Sequence, residues 1–335
     1  MLKNVEFSNT VPASIDSVFV DGDPIAYAGA CAAEKTYYKF VNKDTGKESQ
    51  EFPSAREAAN WLSDLDELGY GDSSEWERVA YKKTGSIAMA LSLTRSVLND
   101  YKTIVPNARI FEGYLTERGV PKSKDVAGLE NRYQANRTAE SPTHLDACRE
   151  WLVKQGFKTL KGGFEADAIV ISKAERQREK GLILSIDKDL QQAEHTFMVN
   201  MKDAKEKRVF CRTIDDDGVG AVWYDKSKKK WLGMGFRWLL LQAMSGDRSD
   251  GYFGLNGVGA VTAAELLGQH HTKEDLLKAM VEFYVAKVGE EYTYTSWDEQ
   301  VITLPAHKLM EQHIWLAYQE RSPQDEFRLS DYIKV

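Results

Sequence analysis

The sequence predicts an α/β fold with a mostly parallel central sheet flanked by helices. Two observations carry this prediction. Short apolar runs typical of buried strands alternate with longer stretches of helical periodicity, and this alternation favours a parallel sheet with helices on its faces. From Phe236 onward the pattern is mainly helical, broken by a glycine-rich run at 251–259. The chain therefore combines an α/β region with a helical C-terminal region.

The first half of the chain predicts three strand regions and two helices. Ser54 and Glu57 have capping-box spacing, so a helix with Ala58 and Trp61 on its apolar face begins there. The alternation around Asp44 indicates a hairpin. The predicted elements are a strand at 17–21, a hairpin at 36–52, a helix from residue 55, a helix at 86–101 and a strand at 109–112.

The second half begins with a segment at 113–140 that is polar, rich in Lys and Arg, and without a regular apolar face. This pattern predicts an exposed or mobile segment. Regular elements resume after it. They are a helix at 143–155, a helix at 165–179, a strand at 182–187, two or three strands within 196–232, and a C-terminal helix at 304–320 opened by Thr303 and Pro305.

Length and composition are those of an ordinary globular protein. A chain of 335 residues corresponds to about two domains. We expect the division between 1–235 and 236–335. Lys and Arg number 44 against 51 Asp and Glu, a net charge of −7, which by itself disfavours a nucleic-acid partner.

Several classes of protein are excluded by the sequence. No window approaches 18 consecutive apolar residues, and the N-terminal residues lack the apolar core of a signal peptide, so we expect no membrane partner. Cys31, Cys148 and Cys211 are odd in number and far apart, unlike a disulfide framework or a zinc ribbon. We therefore expect a reduced, cytoplasmic compartment.

Acidic residues recur at the ends of predicted strands and at the entrances of helices. The carboxyl ends of parallel strands meet at one sheet edge, so these acids are expected to share a crevice. Crowded carboxylates repel one another unless cations neutralise them, and Mg²⁺ prefers such oxygen ligands. A single acid at a strand end is most often a cap or a loop residue, but five acidic sites are harder to explain that way. The candidate metal ligands are Asp21, Asp23, Glu112, Glu165, Asp167, Asp187, Asp189, Asp247 and Asp250.

The glycine run is a second candidate site. Gly254, Gly257 and Gly259 precede a helical stretch that contains Thr262. Glycines let the backbone approach a ligand closely, and the N-terminus of the next helix favours an anion, so a DNA phosphate is expected here. The alternative is a plain tight turn between helices. A dinucleotide-binding fold is disfavoured because no strand precedes the glycines.

At this point five motifs together resemble a known family, the 5′–3′ exonuclease/flap endonuclease (FEN) family. The chain looks most like the phage-encoded exonucleases of podovirus type, and the motifs run from residue 21 to about 267 in the order seen in the family. They are Asp21-Gly-Asp23, Tyr133-Gln-Ala-Asn-Arg137, Glu165-Ala-Asp167, Ser185-Ile-Asp187-Lys-Asp189, and Gly246-Asp247-Arg-Ser-Asp250-Gly-Tyr-Phe-Gly254-Leu-Asn-Gly257-Val-Gly259.

The resemblance implies a PIN-like nuclease core at 1–235, with a helical arch or clamp at about 113–140. It also implies a C-terminal region at 236–335 with a helix-hairpin-helix turn at about 246–268. The implied activity is metal-dependent 5′–3′ hydrolysis at 5′ ends, nicks, gaps or flaps of duplex DNA, and also of RNA primers in RNA–DNA hybrids. The implied setting is a monomer in phage DNA replication, recombination or host DNA breakdown.

The resemblance also assigns roles to residues. The acids named above would hold two Mg²⁺ ions, which Mn²⁺ could replace, with Asp23 a further candidate beside the eight family positions. Arg137 would neutralise the scissile phosphate, Arg132 would add positive charge nearby, and Tyr133 would stack on an unpaired base, its alternative being a packing role. A K⁺ ion would sit at the glycine turn, which would hold the duplex backbone.

Two positions depart from the family pattern. Gln134 stands where the family usually has Lys in the arch, and Ala168 stands where a further Asp often follows Asp167. One metal ligand is therefore missing or replaced by water, and the charge over the phosphate is supplied differently.

Two other functions compete with the nuclease. The run Val18-Phe-Val-Asp21-Gly-Asp23 matches the opening of a haloacid-dehalogenase-type phosphatase, but Pro24-Ile-Ala-Tyr follows where that family has Thr or Val, and Glu165 has no role in it. A junction-binding protein that has lost turnover is the second alternative, supported by Gln134 and Ala168.

Overall fold

The computed structural model describes residues 2–69, 71–122, 124, 130, 132–135, 140–203, 208–323 and 325–334. Its strands are β1 Val5–Ser8, β2 Ser17–Asp21, β3 Glu34–Asn42, β4 Trp76–Thr84, β5 Ile110–Leu115, β6 Lys158–Thr159, β7 Gly181–Ser185, β8 Phe197–Asn200, β9 Phe210–Thr213, β10 Ala221–Asp225, β11 Lys230–Met234, β12 Glu291–Thr295 and β13 Val301–Pro305. Its α-helices are α1 Asp23–Ala32, α2 Ala55–Glu67, α3 Ile87–Lys102, α4 Leu145–Lys154, α5 Ala166–Gln177, α6 Phe236–Ser245, α7 Ala260–Leu267, α8 Lys273–Val288 and α9 Ala306–Ala317.

The central sheet has seven strands and confirms the predicted α/β class. Its order is β1-β9-β8-β7-β2-β5-β6, and the five strands from β8 to β6 are all parallel. Only β9 pairs antiparallel, with β8 and with β1. Every residue of β2 and β7 is buried, as expected for central strands covered on both faces. The mostly parallel sheet is thus as predicted.

The position of β2 creates the crevice at one edge of the sheet. Both β5 and β7 follow β2 in the chain, but they pair with it on opposite sides, Phe19 lying between Glu112 and Ile183. The strand order therefore reverses at β2, with β5 and β6 on one side of it and β7 and β8 on the other. The loops at the carboxyl ends of these strands diverge there. Such switch points are where ligands bind in open α/β sheets.

Helix α5 packs against β2, β5 and β7 and places the acids that precede and begin it. Val170 and Ile171 lie in the buried cluster with Phe19 and Ile183 of the strands. Burying these side chains stabilises the fold by about 2 kcal/mol each relative to exposure. Because this face is fixed, the N-terminal end of α5 is held at the carboxyl edge of the sheet.

The C-terminal helices enclose a second core. Leu239 and Leu240 of α6, together with Met310 of α9, are buried in it. In the same core, Tyr284 and His313 share a hydrogen bond of 2.9 Å between the hydroxyl and Nδ1, and burial lowers the pKa of His313 to about 4. The imidazole is therefore neutral at pH 7 and has a packing role.

The chain divides into two compact units. The first comprises Met1–Pro24, Tyr101–Ala139 and Gln155–Val335, and the second comprises Ile25–Asp100 and Glu140–Lys154. The expected boundary between residues 235 and 236 falls inside the first unit and stays a prediction. Within the second unit, α2 begins as predicted, because Ser54 caps it and accepts a hydrogen bond of 3.2 Å from the Glu57 amide.

The predicted hairpin at 36–52 is present, but its first strand has a second partner. Tyr38 and Phe52 exchange backbone hydrogen bonds of 2.9 and 2.7 Å, and antiparallel bridges join Tyr38 to Phe52 and Val41 to Glu48. The pairing that extends along the whole of β3 is nonetheless with β4. The aromatic cluster explains this choice: Phe40 stacks on Trp61 at 5.1 Å, and Trp61 meets Trp76 edge-on at 5.2 Å. Pairing with β4 is what brings Trp76 into that cluster.

Three further boundaries differ from the predictions. Strand β5 runs to Leu115 rather than ending at Glu112, so the segment at 113–140 begins within the sheet. Four strands, β8 to β11, occupy the region where two or three were expected. The hairpin of β12 and β13 was not predicted, while the predicted helix at 304–320 is α9, with Pro305 at its N-cap.

Among the described residues, no helix has both the length and the hydropathy that crossing a membrane requires.

Candidate metal centre

Asp21 and Asp23 lie at the carboxyl end of β2. Asp21 is 6% exposed, and its Oδ1 accepts a hydrogen bond of 3.1 Å from the Asp23 amide. A Cβ at Gly22 would lie 2.6 Å from the Phe157 ring and 2.8 Å from the Tyr114 carbonyl oxygen. Only glycine fits between the two acids, which explains the Asp-Gly-Asp motif in physical terms.

Thr116 follows the end of β5 and ties two of the acidic segments together. Its amide donates a hydrogen bond of 3.0 Å to Oδ2 of Asp23, and its Oγ1 accepts one of 3.0 Å from the amide of Ala166. The start of α5 is thereby held beside the end of β2. The strand-end position next to the acids thus belongs to Thr116.

Glu165 and Asp167 flank the first residue of α5. Glu165, the N-cap residue, forms an ion pair with Lys122, and its Oε2 lies 4.0 Å from Nζ of Lys124. Burial, and after it the charge of Glu165, raises the pKa of Asp167 to about 8. A carboxyl group with that pKa is poorly stabilised as an anion until a cation reaches it.

Asp187 and Asp189 follow the end of β7. The Asp187 amide donates to Oγ of Ser185 at 3.0 Å, and the Asp189 amide donates to Oδ1 of Asp187 at 2.9 Å. From α6, Nε2 of Gln242 donates to Oδ1 of Asp189 at 2.5 Å. Burial raises the pKa of Asp189 well above its ordinary value, and the charge of Asp187 raises it further.

Asp247 and Asp250 lie in the turn after α6. Oδ1 of Asp247 accepts a hydrogen bond of 2.8 Å from the Ser249 amide, and its Oδ2 lies 2.5 Å from Nζ of Lys188. Burial raises the pKa of Asp247, but the hydrogen bonds from Lys188 and Ser249 outweigh it and leave that pKa below its ordinary value. Asp250 is also buried.

These segments converge on one acidic cluster. Burial, then the charges of Asp23, Asp167 and Asp187, raises the pKa of Asp21. Burial also raises the pKa of Asp187, to which the charges of Asp250 and Asp247 contribute. Asp187 therefore lies between two groups of acids. The residues of this cluster are Asp21, Asp23, Glu165, Asp167, Asp187, Asp189, Asp247 and Asp250.

The donor set fits divalent cations. Asp189, Asp247 and Asp250 each offer a carboxylate oxygen, and these oxygens all lie within 4.8 Å of one another. Hard oxygen ligands and excess negative charge are what Mg²⁺, Mn²⁺ and Ca²⁺ bind. The raised pKa values of Asp21, Asp167 and Asp189 show that burial and neighbouring carboxylates disfavour their charged forms. A bound cation would offset both effects.

Glu112, the remaining predicted ligand, has other partners. It lies within β5, where it accepts a hydrogen bond from the Tyr114 hydroxyl, and its Oε2 is 3.4 Å from Nζ of Lys158. Burial raises its pKa, but the hydrogen bond from Tyr114 and the charge of Lys158 leave that pKa lowered. Among the charges that raise the pKa values of Asp21, Asp167, Asp187 and Asp189, that of Glu112 is not found.

The residues predicted to contact phosphate differ from one another in burial and in the side chains that they contact. Tyr133 is only 5% exposed and its ring stacks on Tyr252 at 6.4 Å, which matches the packing alternative. The backbone amide of Gln134 donates a hydrogen bond of 2.7 Å to the backbone carbonyl oxygen of Asp250. Arg132 is exposed, with its guanidinium 5.5 Å from the Trp297 ring centre. Arg137 lies outside the described residues.

The glycine run joins α6 to α7. A Cβ at Gly254 would lie 2.1 Å from the Met244 carbonyl oxygen, so this glycine is needed for packing. Gly257, in the left-handed region at φ 75°, and Gly259, the N-cap of α7, both face open space. Thr262 is half-buried in the first turn of α7. The glycines of this run that are exposed are therefore Gly257 and Gly259.

Comparison with known proteins gives partial sequence matches. The chain is 29% identical to the thermostable DNA polymerase I of Thermus filiformis over 204 residues, 56% of this chain and 23% of that protein. It is 29% identical to DNA polymerase I of Rhizobium leguminosarum over 171 residues, 48% of this chain and 15% of that protein. The chain thus spans less than a quarter of these relatives. No protein-family model matches it.

Solved structures of a viral nuclease also match. The zinc-bound T5 5′-exonuclease aligns over 90% of this chain and 88% of its own, with a TM-score of 0.42 and 14% identity. A complex of the bacteriophage T5 flap endonuclease with DNA and metal ions aligns over 69% of this chain and 80% of its own, with a TM-score of 0.40 and 15% identity. Both of these proteins are 5′ nucleases, the class that the motifs of this chain resemble.

Several side chains that contact the acids were missed in the sequence. Thr116 was overlooked because β5 was expected to end earlier, and Gln242 because nothing in a buried helix distinguishes it. Lys188 stands between two predicted ligands in Asp187-Lys-Asp189, a position that could have identified it. Lys122 and Lys124 lie in a segment without periodicity, where no pattern indicates which of its basic residues turns inward.

Proposed function

We propose that this chain is a divalent-metal-dependent 5′ nuclease, which hydrolyses phosphodiester bonds at 5′ ends, nicks, gaps or flaps of duplex DNA. RNA primers in RNA–DNA hybrids are proposed as further substrates. The observation that carries the proposal is the cluster of eight buried or half-buried carboxylates contributed by four separate chain segments. The phosphodiester substrate is itself negatively charged. A carboxylate cluster this crowded can therefore accept it only after cations have bound.

The two groups of acids suggest two cation sites. Asp21, Glu165 and Asp167 would hold one ion, Asp189, Asp247 and Asp250 the other, and Asp187 lies between them; Asp23 is a further candidate for the first. Mg²⁺ is the proposed ion and Mn²⁺ its substitute. When bound, such ions supply Lewis-acid chemistry, acidifying water and neutralising charge on phosphate oxygens.

The chain's own residues would orient these ligands and the DNA. Gln242 and Ser249 hold the carboxylates of Asp189 and Asp247 by hydrogen bonds, and Ser185 holds the backbone amide of Asp187, which limits the reorganisation needed during reaction. For the duplex, the proposed contacts are Arg132, Arg137 and the backbone at Gly257 and Gly259, where a K⁺ ion could also bind. The proposed setting is a cytoplasmic monomer acting in phage DNA replication, recombination or host DNA breakdown, with a nuclease region at 1–235.

The test is a cleavage assay with 5′-labelled nicked, gapped, flapped and RNA-capped duplexes, in Mg²⁺, in Mn²⁺ and with a chelator. We expect metal-dependent release of short 5′ products. The double variant Asp187→Asn, Asp189→Asn should lose this cleavage, since it removes one ligand of the second ion and the carboxylate that lies between the two groups. Asp225→Asn, a control whose carboxylate caps a surface turn by accepting hydrogen bonds from Ser227 and the Lys228 amide, should cleave normally.

The same samples separate the competing functions. A phosphatase would hydrolyse a small phosphate ester and trap an aspartyl-phosphate, with no release of oligonucleotides. A junction-binding protein without turnover would bind flapped DNA tightly and yield no product at any metal concentration. Cleavage retained by the Asp187, Asp189 double variant would reject the proposed site.

A further inference from the structure

Besides Lys188, two lysines from the segment before Tyr133 lie against the acidic cluster, and the proposed function gives them no role. Nζ of Lys122 contacts Glu165 and lies 3.3 Å from Oε1 of Gln134. Lys124 is only 2% exposed, and its Nζ has no hydrogen-bond partner among the described residues; the Glu165 carboxylate is 4.0 Å away. A buried ammonium group without hydrogen bonds is costly, so this arrangement requires an explanation.

Gln134 connects Lys122 to the other side of the cluster. Its Oε1 faces Nζ of Lys122, while its Nε2 donates to Oδ1 of Asp250 at 3.3 Å. The backbone of Gln134 has φ 55°, a conformation that non-glycine residues seldom adopt, and its amide hydrogen bond to Asp250 holds it there. The series of side-chain contacts from Glu165 through Lys122 and Gln134 to Asp250 thus links the two groups of acids.

We propose that Lys122 is a phosphate-binding residue of this site. Glu165 and Gln134 hold its ammonium group in this structure. With the Glu165 carboxylate engaged as a ligand of a divalent cation, Lys122 would be free to contact the phosphate that is cleaved. Lys124 is a positioning residue, whose fixed charge beside Glu165 remains when Lys122 moves. This inference rests on the proposed function, because it needs a phosphodiester bound at the acids.

Accessibility distinguishes the two lysines. The Lys122 side chain is 21% exposed, and its flexible four-carbon stem lets the ammonium group move to a nearby oxygen anion. Lys124 is enclosed, with its Nζ 5.7 Å from the centre of the Tyr133 ring, a cation–π distance that favours its staying in place. Of these two lysines, only Lys122 can therefore reach a ligand in the crevice.

Lys122 competes with an incoming cation, because both require the Glu165 carboxylate. This competition affects the affinity for the cation, which can be measured without cleavage. Removing the Lys122 charge should therefore make cation binding tighter in the absence of DNA, whereas a residue that merely supports the site would weaken binding when removed. The same removal should slow cleavage, because one positive charge at the phosphate is lost.

The experiment compares wild type, Lys122→Gln and Lys122→Arg, with Lys161→Gln as control. Lys161 also pairs with a glutamate, but its partner is Glu117 outside the cluster and it is well exposed. Mn²⁺ binding is measured by calorimetry without DNA, and cleavage under single-turnover conditions in Mg²⁺ with enzyme in excess. For Lys122→Gln we expect several-fold tighter Mn²⁺ binding and a cleavage rate lower by about 100-fold.

Each outcome decides a separate point. Lys122→Arg should restore part of the rate, and Lys161→Gln should match wild type in both measurements. A Lys122→Gln rate within threefold of wild type, or weaker Mn²⁺ binding in that variant, overturns the inference while wild-type cleavage upholds the nuclease. A wild-type chain that cleaves none of the substrates overturns the proposed function itself.

Discussion

Nζ of Lys188 lies 2.5 Å from Oδ2 of Asp247, which joins the segment after β7 to the turn after α6. The lysine side chain is 48% exposed, but the aspartate is 5% exposed, so the pair brings a charge to a carboxylate that water barely reaches. With Asp187 and Asp189 on either side of it in the sequence, Lys188 supplies positive charge at the centre of the acidic cluster.

Lys188→Met should therefore destabilise the metal-free protein. Asp247 would keep its hydrogen bonds to Ser249 but lose its only described counter-charge, a loss of about 1–2 kcal/mol once solvent screening of the exposed lysine is considered. Urea unfolding with a chelator measures this. Saturating Mg²⁺ should recover most of the difference, and the exposed pair variant Arg109→Met should be nearly neutral; equal losses in both variants would contradict the prediction.

The metal-free protein should lose stability as the pH rises to about 8, most clearly above pH 6.5, because below it the lowered pKa of His313 contributes in the opposite direction. The pKa of Asp167 is about 8 in the folded state against 3.8 ordinarily, so between these values the folded state keeps a proton that the unfolded state releases. Stability then falls with rising pH, by at most about 1.4 kcal/mol per pH unit for one group. Asp21 and Asp189 have pKa values raised in the same direction.

Urea midpoints at pH 5, 6.5 and 8 with a chelator would measure this slope. Asp167→Asn should flatten it, because the amide does not ionise, and the variant should be more stable than wild type at pH 8. Saturating Mg²⁺ should flatten the slope in wild type also. A stability that rises over this range in wild type would show that the carboxylates are not crowded as described.

How far the sequence predicts this molecule depends on whether a feature is local. Strand β2, strand β7 and the start of α2 follow from apolar runs and a capping pair, which depend on neighbouring residues. The pairing of β3 with β4 joins residues more than 30 positions apart, and alternation alone does not identify a strand's partner. The acids of the candidate site were predicted because strand ends place them, whereas Lys122, Lys124 and Gln242 contact them through tertiary packing.

Gln242→Met should weaken metal binding with little loss of stability. Methionine has a similar volume, so the buried position stays filled, but Asp189 loses the 2.5 Å hydrogen bond that orients its carboxylate. Losing such a supporting contact typically reduces metal affinity by about tenfold or more. Calorimetry with Mn²⁺ would measure it. Gln312→Met, away from the acids, is the control, and unchanged affinity in Gln242→Met would show that Asp189 needs no orientation.

Glu112→Gln should leave metal binding and cleavage within about threefold of wild type, whereas Asp21→Asn should abolish both. The Glu112 carboxylate pairs with Lys158 and accepts a hydrogen bond from Tyr114, whereas Asp21 lies inside the acidic cluster. A difference of threefold corresponds to less than about 0.7 kcal/mol, the size expected from a distant surface charge. Loss of Mn²⁺ affinity in Glu112→Gln would return this glutamate to the set of metal ligands.

Gly259→Asp should weaken duplex binding while keeping the fold, if the segment from Gly257 to Gly259 contacts a DNA phosphate as proposed. Gly259 is the N-cap of α7 and faces open space, and aspartate is a favoured N-cap residue, so stability should be kept or slightly increased. Its negative charge would oppose the phosphate and lower duplex affinity by about tenfold at low salt. Gly259→Asn, equally good as a cap and neutral, is the matched control. Anisotropy titrations with a labelled duplex in Ca²⁺ would compare the three proteins, and equal affinity in all of them would exclude this turn from the DNA interface.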